Sequence, residues 1–332
     1  MNSVPKIGIT MGDPAGIGPE IIRKAYARRL PLHVPVVFGD FVILSNTMKS
    51  LPPLKIKTIQ SPTEPLLTSK EGINLFPVTD LSPRDIQPGQ VNAITGKAAG
   101  RYIETAIHAA LGGEIDAVVT CPIHKKAFHE GGYPYPGHTE MFAALTGTKR
   151  YGMMMVSTPL KVALTTIHLS LRDVPKAITQ TGLKEIIELT SGAMRRWFGI
   201  PDPRICVLGL NPHAGEGGDM GDEEIEIIKP VIQKLRKKSY RITGPIPADT
   251  AFIKRKLKQF DAFVAMYHDQ GLIPFKMLAF ERGVNVTLGL PFPRVSVDHG
   301  TGLDIVGKGI ADPTSLRSAI RWAIRFVRQP ED

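Results

Sequence analysis

The feature that most constrains this chain is an alternation, kept up from end to end, of short apolar runs with stretches of helical spacing. Residues 7–10, 34–38, 117–120, 161–166, 204–208, 262–266 and 284–287 each carry Val or Ile in a run too short for a helix, which predicts buried strands. Between them, residues 97–111 place Ala98, Tyr102, Ile103, Ala106 and Ala110 at the spacing of one helical face. Residues 183–198 and 223–236 repeat that pattern, and residues 314–327 predict a C-terminal helix. Strand–helix alternation on this scale implies an α/β protein whose sheets are covered by helices. At 332 residues the chain is too long for most single cores and suits two lobes. No low-complexity linker or internal repeat marks a boundary, and the Pro-rich stretch 52–88 is expected to form surface excursions.

Composition narrows the class. A hydrophobic fraction of 42% and a charged fraction of 22% are ordinary for a soluble globular enzyme. No apolar run approaches the ~20 residues that span a bilayer. Residues 1–6 lack the apolar core of a secretion signal, so a cytoplasmic location is expected. The net charge of +10, from 41 basic and 31 acidic residues, raises the question of nucleic acid. The basic runs Lys234-Leu-Arg-Lys-Lys238 and Lys254-Arg-Lys-Leu-Lys258 look instead like the ends and outer faces of amphipathic helices, without interleaved aromatics. The expected partner is therefore neither nucleic acid nor membrane but a small anionic substrate, which the excess charge would help to attract. Cys121 and Cys206 form no C-x-x-C pair, so inert, buried thiols are expected.

The first strand runs into Met11-Gly-Asp-Pro-Ala-Gly-Ile-Gly-Pro-Glu-Ile21. A strand, a glycine turn and a helix invite a dinucleotide fingerprint, yet the third glycine is missing and no Lys-Ser/Thr pair makes a phosphate loop. Asp40 mimics the ribose-binding acid of such folds and is set aside for the same reason. Two readings remain: a tight turn with Pro19 in the first helical turn, or a loop bringing backbone amides to a ligand. The glycines beside Asp13 favour the second.

Three of the nine histidines follow predicted strands: His168 in Thr166-Ile-His-Leu169, His213 in Leu210-Asn-Pro-His-Ala-Gly-Glu216, and His268 in Met266-Tyr-His-Asp-Gln-Gly271. Ligands of open α/β sheets gather at the carboxyl ends of strands. Three imidazoles converging there could hold a divalent metal and leave a position open for substrate, with Asp249 and Asp269 orienting them from behind. A single histidine would more often be structural; matching placement is what shifts the balance. His138 and Thr139 at a predicted helix start, Lys276, Asn285 and Arg294 suit an anion, although an isolated Lys276 or Arg294 would more often be a surface charge.

At these residues the sequence resembles the 4-hydroxythreonine-4-phosphate dehydrogenase family, over essentially the whole chain. The stretches that carry the resemblance are Gly8-Ile-Thr-Met-Gly-Asp-Pro-Ala-Gly-Ile-Gly-Pro-Glu20, Pro136-Gly-His-Thr-Glu140, Gly209-Leu-Asn-Pro-His-Ala-Gly-Glu-Gly-Gly218, Gly244-Pro-Ile-Pro-Ala-Asp-Thr250, Ala265-Met-Tyr-His-Asp-Gln-Gly271 and Ser296-Val-Asp-His-Gly-Thr-Gly302. The first of them, and Asp298-His-Gly-Thr-Gly-Leu-Asp304 with Gly307-Lys-Gly-Ile-Ala-Asp312, are also similar to the isocitrate and isopropylmalate dehydrogenase group.

The resemblance implies a two-lobed isocitrate/isopropylmalate dehydrogenase-like α/β fold, with α/β/α layers and an active-site cleft between lobes. Residues 1–136 plus 290–332 would form the lobe holding both termini and most of the cofactor site, and residues 137–289 the lobe holding metal and substrate residues. It implies metal ligation by His168, His213 and His268, with zinc, magnesium or cobalt as the ion. It implies substrate contacts from His138, Thr139, Lys276, Asn285 and Arg294. NAD or NADP would bind at Gly12, Asp13, His299, Gly300, Thr301, Asp304 and Asp312, although the wider group often has asparagine at the position of Asp312.

A homodimer with active sites near the interface is also implied. The reaction would oxidise the C3 hydroxyl of 4-hydroxythreonine 4-phosphate, with decarboxylation to 3-amino-2-oxopropyl phosphate, in pyridoxal phosphate biosynthesis. The proton acceptor stays open among Asp249, Asp269 and Lys125, in that order. Related enzymes oxidise 4-phosphothreonate, 4-phosphoerythronate or an aromatic-acid cis-dihydrodiol. A metal-dependent phosphatase and a non-catalytic sugar-phosphate sensor are the readings from other classes.

Overall fold

The computed structural model describes residues 4–47, 51, 53–64 and 66–329. They form two compact units, the first taking in the chain up to Lys149 and Leu290–Arg328, the second Arg150–Gly289. Among the described residues the strands in chain order begin with β1 (Lys6–Thr10), β2 (Val34–Asp40), β3 (Ile56–Thr58) and β4 (Ile73–Thr79). Next come β5 (Ala117–Thr120), β6 (Gly152–Val156), β7 (Lys161–Leu164) and β8 (Ile205–Leu208). The last four are β9 (Ile242–Ile246), β10 (Ala262–Ala265), β11 (Val284–Leu288) and β12 (Arg294–Val297).

In the first unit the strand order is β3-β4-β2-β1-β5-β12, and every pairing is parallel. β1, β2, β5 and β12 are buried at nearly every position, the mark of a parallel sheet covered on both faces. The helix Ala93–Leu111 packs on β1, β2, β4 and β5, and the helix Thr314–Val327 on β12, β5 and β1. The expectation of an α/β protein holds, and all seven expected strands are present. The stretch expected to be surface excursions contributes the edge strand β3 and its neighbour β4, so it is more regular than its prolines suggest.

In the second unit the order is β11-β6-β7-β10-β8-β9, with β7, β10, β8 and β9 parallel and the β11–β6 and β6–β7 pairings antiparallel. Met155, Val162, Leu164, Leu208, Phe263 and Phe275 lie in its core. The expected helix over residues 223–236 begins as a π-helical turn, Glu224–Ile228, before continuing as Lys229–Arg236. Lys234, Arg236, Lys237 and Lys238 are exposed, as the amphipathic reading required. The sequence division at residue 137 differs from the structure: the helix His138–Leu145 packs in the first unit, where Phe142 lies 6.3 Å from Phe292 and 5.3 Å from the Arg294 guanidinium. No described helix is long and apolar enough to cross a membrane.

Close packing of helix on helix sets one clear test. A Cβ on Gly96 would lie 1.9 Å from the Ala127 carbonyl oxygen, whereas one on Gly192 would meet nothing within 4 Å. Gly96→Ala is expected to destabilise by about 1–3 kcal/mol through overpacking, while Gly192→Ala should gain up to about 1 kcal/mol of helix propensity. Urea unfolding of the two variants should move in opposite directions.

Candidate active site

The first unit contains a buried cation. Arg294 opens β12, is 1% exposed, donates from Nη2 to Thr120 Oγ1 at 2.6 Å at the end of β5, and stacks over Phe142. It is therefore no surface charge. Burial lowers its guanidinium to about 9, against the opposing pull of the Glu140 carboxylate. A cation at this depth favours any anion that can reach it.

His138, at the start of the helix His138–Leu145, lies beside it. Burial first, then the charge of Arg294, holds its imidazole well below the usual histidine range, while a bond to the Cys121 carbonyl works the other way. Its Nε2 is out of reach of solvent and has no partner among the described residues. With the other ring nitrogen donating to Cys121, the neutral ring offers Nε2 as an acceptor. Thr139 follows in the same first turn, and the charge of the exposed Lys125 also acts on His138. Cys121 itself is free and fully buried, its thiol pushed up by burial, as expected of an inert thiol.

The second unit contains the three histidine loops. β7, β10 and β8 are parallel neighbours in register, Leu164 against Ala265 and Val264 against Val207. Their carboxyl ends therefore share one edge, from which the loops of His168, His268 and His213 leave. Gln270 ties two of these loops together: its Oε1 accepts from Met266 N at 2.7 Å and its Nε2 donates to the Gly209 carbonyl at 2.7 Å. The rings of His168 and His268 are 5.8 Å apart. His268 Nδ1 donates to Asp269 Oδ1, and His213 Nδ1 to Glu216 Oε2, each at 2.7 Å. A carboxylate on Nδ1 leaves the Nε2 lone pair of a neutral ring facing outward, the usual preparation of a metal-binding histidine. Among the described residues no group of three or more His, Cys, Asp and Glu side chains is arranged as a metal site. The donor chemistry of three imidazoles fits a divalent ion, and His168 and His268 are the two rings that lie near one another.

His213 stands on unusual backbone. Residues His213, Ala214, Gly215, Glu216 and Gly217 run in succession through left-handed conformations, with φ of 52°, 53°, 82°, 42° and 77°. Such a conformation costs a residue with a Cβ roughly 1–2 kcal/mol, and strain of this kind concentrates at functional sites. Asp249 is exposed on the short helix Ala248–Ala251, which packs on this turn. Lys276 and Asn285 also belong to this unit, on the helix His268–Ala279 and on β11, with Lys276 Nζ 5.2 Å from the Phe280 ring centre. Sequence reasoning passed over Glu216, whose signal was its position three residues after His213, and Gln270, which is buried and two residues after His268.

The glycine turn does something other than the favoured expectation. The amides of Met11, Asp13, Gly16 and Ile17 donate to the carbonyls of Phe38, Pro122, Asp13 and Thr301, and Ala15 N to Asp13 Oδ1. These amides serve the chain, so the tight-turn reading holds for them, with Pro19 in the first turn of the helix Gly18–Tyr26. Gly18 is required because a Cβ there would lie 2.0 Å from the Met11 carbonyl oxygen. Asp13 is 1% exposed, and burial raises its carboxyl above the usual range. Asp40 caps the helix Phe41–Asn46 and accepts from Thr79 and Leu81, a structural part, as its dismissal anticipated.

Of the other cofactor candidates, Thr301 is buried with its carbonyl on Ile17, Gly300 and Asp304 are exposed, and His299 Nδ1 donates to the Gly300 carbonyl. Asp312 accepts from Thr314 Oγ1 and N, bonds that hold its carboxyl low, helped by the charge of His299. The loop is fastened to the first helix by Lys24 Nζ on the carbonyls of Gly309 and Ala311, and by Ala311 N on Glu20. Two cavities adjoin it, one of 270 Å³ lined by Pro14, Gly16, Glu20, Val306 and Gly307 among others, and one of 430 Å³ bordered by Lys24, Arg28, Asp312 and Arg317.

A buried cation beside an acceptor imidazole in one α/β unit, and carboxylate-backed histidines on a strand-end edge in the other, mark the chain as an α/β protein equipped to act on a small anion. Residues 31–323 match the family described as pyridoxal phosphate biosynthetic protein PdxA, and the chain belongs to that family. It is 47% identical to 4-hydroxythreonine-4-phosphate dehydrogenase of Desulfosudis oleivorans, over 98% of this chain and 96% of that one. The crystal structure of the 4-hydroxythreonine-4-phosphate dehydrogenase of Klebsiella pneumoniae matches with a TM-score of 0.91 at 42% identity, over 98% and 99% of the two chains. A terephthalate 1,2-cis-dihydrodiol dehydrogenase from Burkholderia xenovorans matches with a TM-score of 0.69 at 32% identity, over 97% and 98%.

The buried imidazoles have a consequence for stability. His138 is held well below its ordinary 6.5, and burial lowers His33 to about 4. The unfolded chain takes up protons near pH 6.5 where the folded chain does not, so stability is full above that pH and is lost as pH falls. Each ring should remove up to about 1.4 kcal/mol per pH unit between about pH 6.5 and its folded value. Urea unfolding at about pH 7 and about pH 5.5 should show this slope, and His138→Gln should flatten it. Equal stability at both pH values in the wild type would contradict the neutral-histidine assignment.

Proposed function

We propose that the protein is a nicotinamide-dependent dehydrogenase that oxidises the C3 hydroxyl of 4-hydroxythreonine 4-phosphate, with decarboxylation to 3-amino-2-oxopropyl phosphate, in pyridoxal phosphate biosynthesis. The observation that carries this reading is Arg294, a buried guanidinium held by Thr120 next to the acceptor ring of His138. Full-length relatives named for this activity support it. Arg294, with Thr139, offers the phosphate charge-assisted and neutral bonds from the first unit, and Lys276 and Asn285 are the substrate contacts of the second. His138 accepts from a substrate hydroxyl or ammonium group.

His168, His213 and His268 are the ligands of a divalent ion, zinc, magnesium or cobalt. When bound, the ion supplies Lewis acidity that lowers the pKa of the substrate hydroxyl. The proton released passes to Asp249, Asp269 or Lys125; Asp269 already holds the His268 ring, which favours Asp249 for the transfer. His299, Gly300, Thr301, Asp304 and Asp312 would hold NAD or NADP, which would accept the hydride, with Gly12 and Asp13 shaping the turn beside that loop. The chain works as a cytoplasmic homodimer, in keeping with the exposed row of Ile273, Met277 and Phe280 on and just beyond the helix His268–Ala279. The second reading, oxidation of an aromatic-acid cis-dihydrodiol, is favoured by the likeness to the terephthalate dihydrodiol dehydrogenase. The carboxylates of such a diol could also meet Arg294, but each carries less charge than a phosphate dianion, and this ranks it second.

The test is a spectrophotometric assay of nicotinamide reduction. Arg294→Ala is expected to lower kcat/KM for the phosphorylated substrate by about 2 kcal/mol, or about 30-fold. A dephosphorylated substrate should lose a similar amount on the wild type and little more on the variant, and inorganic phosphate should compete. Faster turnover of a non-phosphorylated cyclic diol, untouched by phosphate, would overturn the choice of substrate.

A further inference from the structure

We infer that Glu224 is a positioning residue that sets the left-handed turn carrying His213. The inference rests on the reading of His213 as a metal ligand. The Glu224 side chain comes from the first residue of the π-helical turn Glu224–Ile228 and is 1% exposed. Its Oε1 accepts from the amides of Leu210 at 2.7 Å and Asn211 at 2.8 Å, and its Oε2 from Asn211 Nδ2 at 2.9 Å. Three donors from the two residues that lead into Pro212 and His213 thus converge on one carboxylate. Glu223 adds a second acceptor to the same amide, at 2.6 Å from Asn211 Nδ2.

The glycines show how closely the loop is drawn down on this carboxylate. A Cβ on Gly209 would lie 3.0 Å from Glu224 Oε1, and one on Gly215 would lie 2.7 Å from Oε2. The strand end at Gly209 and the middle of the left-handed turn are therefore both seated against the same side chain. Left-handed backbone at His213, Ala214 and Glu216 persists only when its surroundings impose it. Glu224 holds the entry and the interior of the turn together, while Gln270 grips the Gly209 carbonyl from the other side. His213 Nδ1 then meets Glu216 of the same turn, so the direction of Nε2 follows from the turn. Glutamine at 224 could keep its oxygen on the two backbone amides only by turning its NH₂ toward Asn211 Nδ2, and so could not accept from all three donors.

The test titrates metal-free protein with Co²⁺ alone and follows its visible absorption, which reports ligand number and geometry independently of turnover. Wild type, His213→Ala, Glu224→Gln and Gly215→Ala are compared, each with its thermal midpoint. Gly215→Ala keeps the carboxylate but pushes the turn off it, so it speaks for the same contact if Glu224→Gln fails to fold. The expected result is Co²⁺ affinity reduced about 10- to 100-fold in Glu224→Gln and Gly215→Ala, with a changed band shape, while His213→Ala loses the band. Wild-type affinity and spectrum in the folded Glu224 and Gly215 variants, with His213→Ala still defective, would overturn the role of Glu224 and leave the metal reading standing. Wild-type Co²⁺ binding by His213→Ala would overturn the metal reading and the inference with it.

Discussion

Parallel pairing of β7, β10 and β8 governs the second unit. Parallel strands all run the same way and need long crossovers, so their carboxyl ends collect on one edge and their return helices cover the faces. With Leu164 beside Ala265 and Val264 beside Val207, the loops of His168, His268 and His213 have no choice but to leave from that edge. A register shift would separate the loops and break the Gln270 bridge between Met266 and Gly209. The apolar core beneath, with Leu164, Leu208 and Phe263, is what makes such a shift costly.

The polar groups of the two units differ in depth. Arg294 and His138 are withdrawn from solvent, where burial depresses the affinity of both for protons and raises the value of an incoming anion. The histidine loops are more open: the side chains of His213 and His268 keep 62% and 36% of their exposure, so their orientation must come from hydrogen bonds rather than packing. Glu216 and Asp269 provide it for the rings, and Glu224 for the backbone below His213. The strain of the left-handed turn is offset by a buried carboxylate that has nothing else to bind among the described residues.

The family assignment and the α/β class follow from motifs and alternation that a reader of the chain can see. The missed strands have identifiable reasons. β6 is Gly-Met-Met-Met-Val, apolar but nearly without β-branching; β12 opens on a charged residue, Arg294; β9 contains Gly244 and Pro245, tolerated because it lies at the end of the strand order. β3 and β4 hide in a Pro-rich stretch whose prolines flank and separate them, with Pro77 inside β4 itself. The glycine turn misleads in the opposite direction, since its composition resembles a ligand cradle while its amides are taken by Phe38, Pro122, Asp13 and Thr301.

The sequence by itself determined the period of the elements, the residues at the strand ends and the histidine loops, because each depends on neighbours within a few positions. Only the tertiary structure decided that Arg294 is a buried cation on Thr120 rather than a surface charge. It also decided that residues 137–149 pack with the first unit, and that Glu224 reaches back to Leu210 and Asn211. Those facts depend on burial and on partners far away in the chain. Desolvation and hydrogen-bond geometry, which set the chemistry of a charged side chain, exist only once the chain has closed around it.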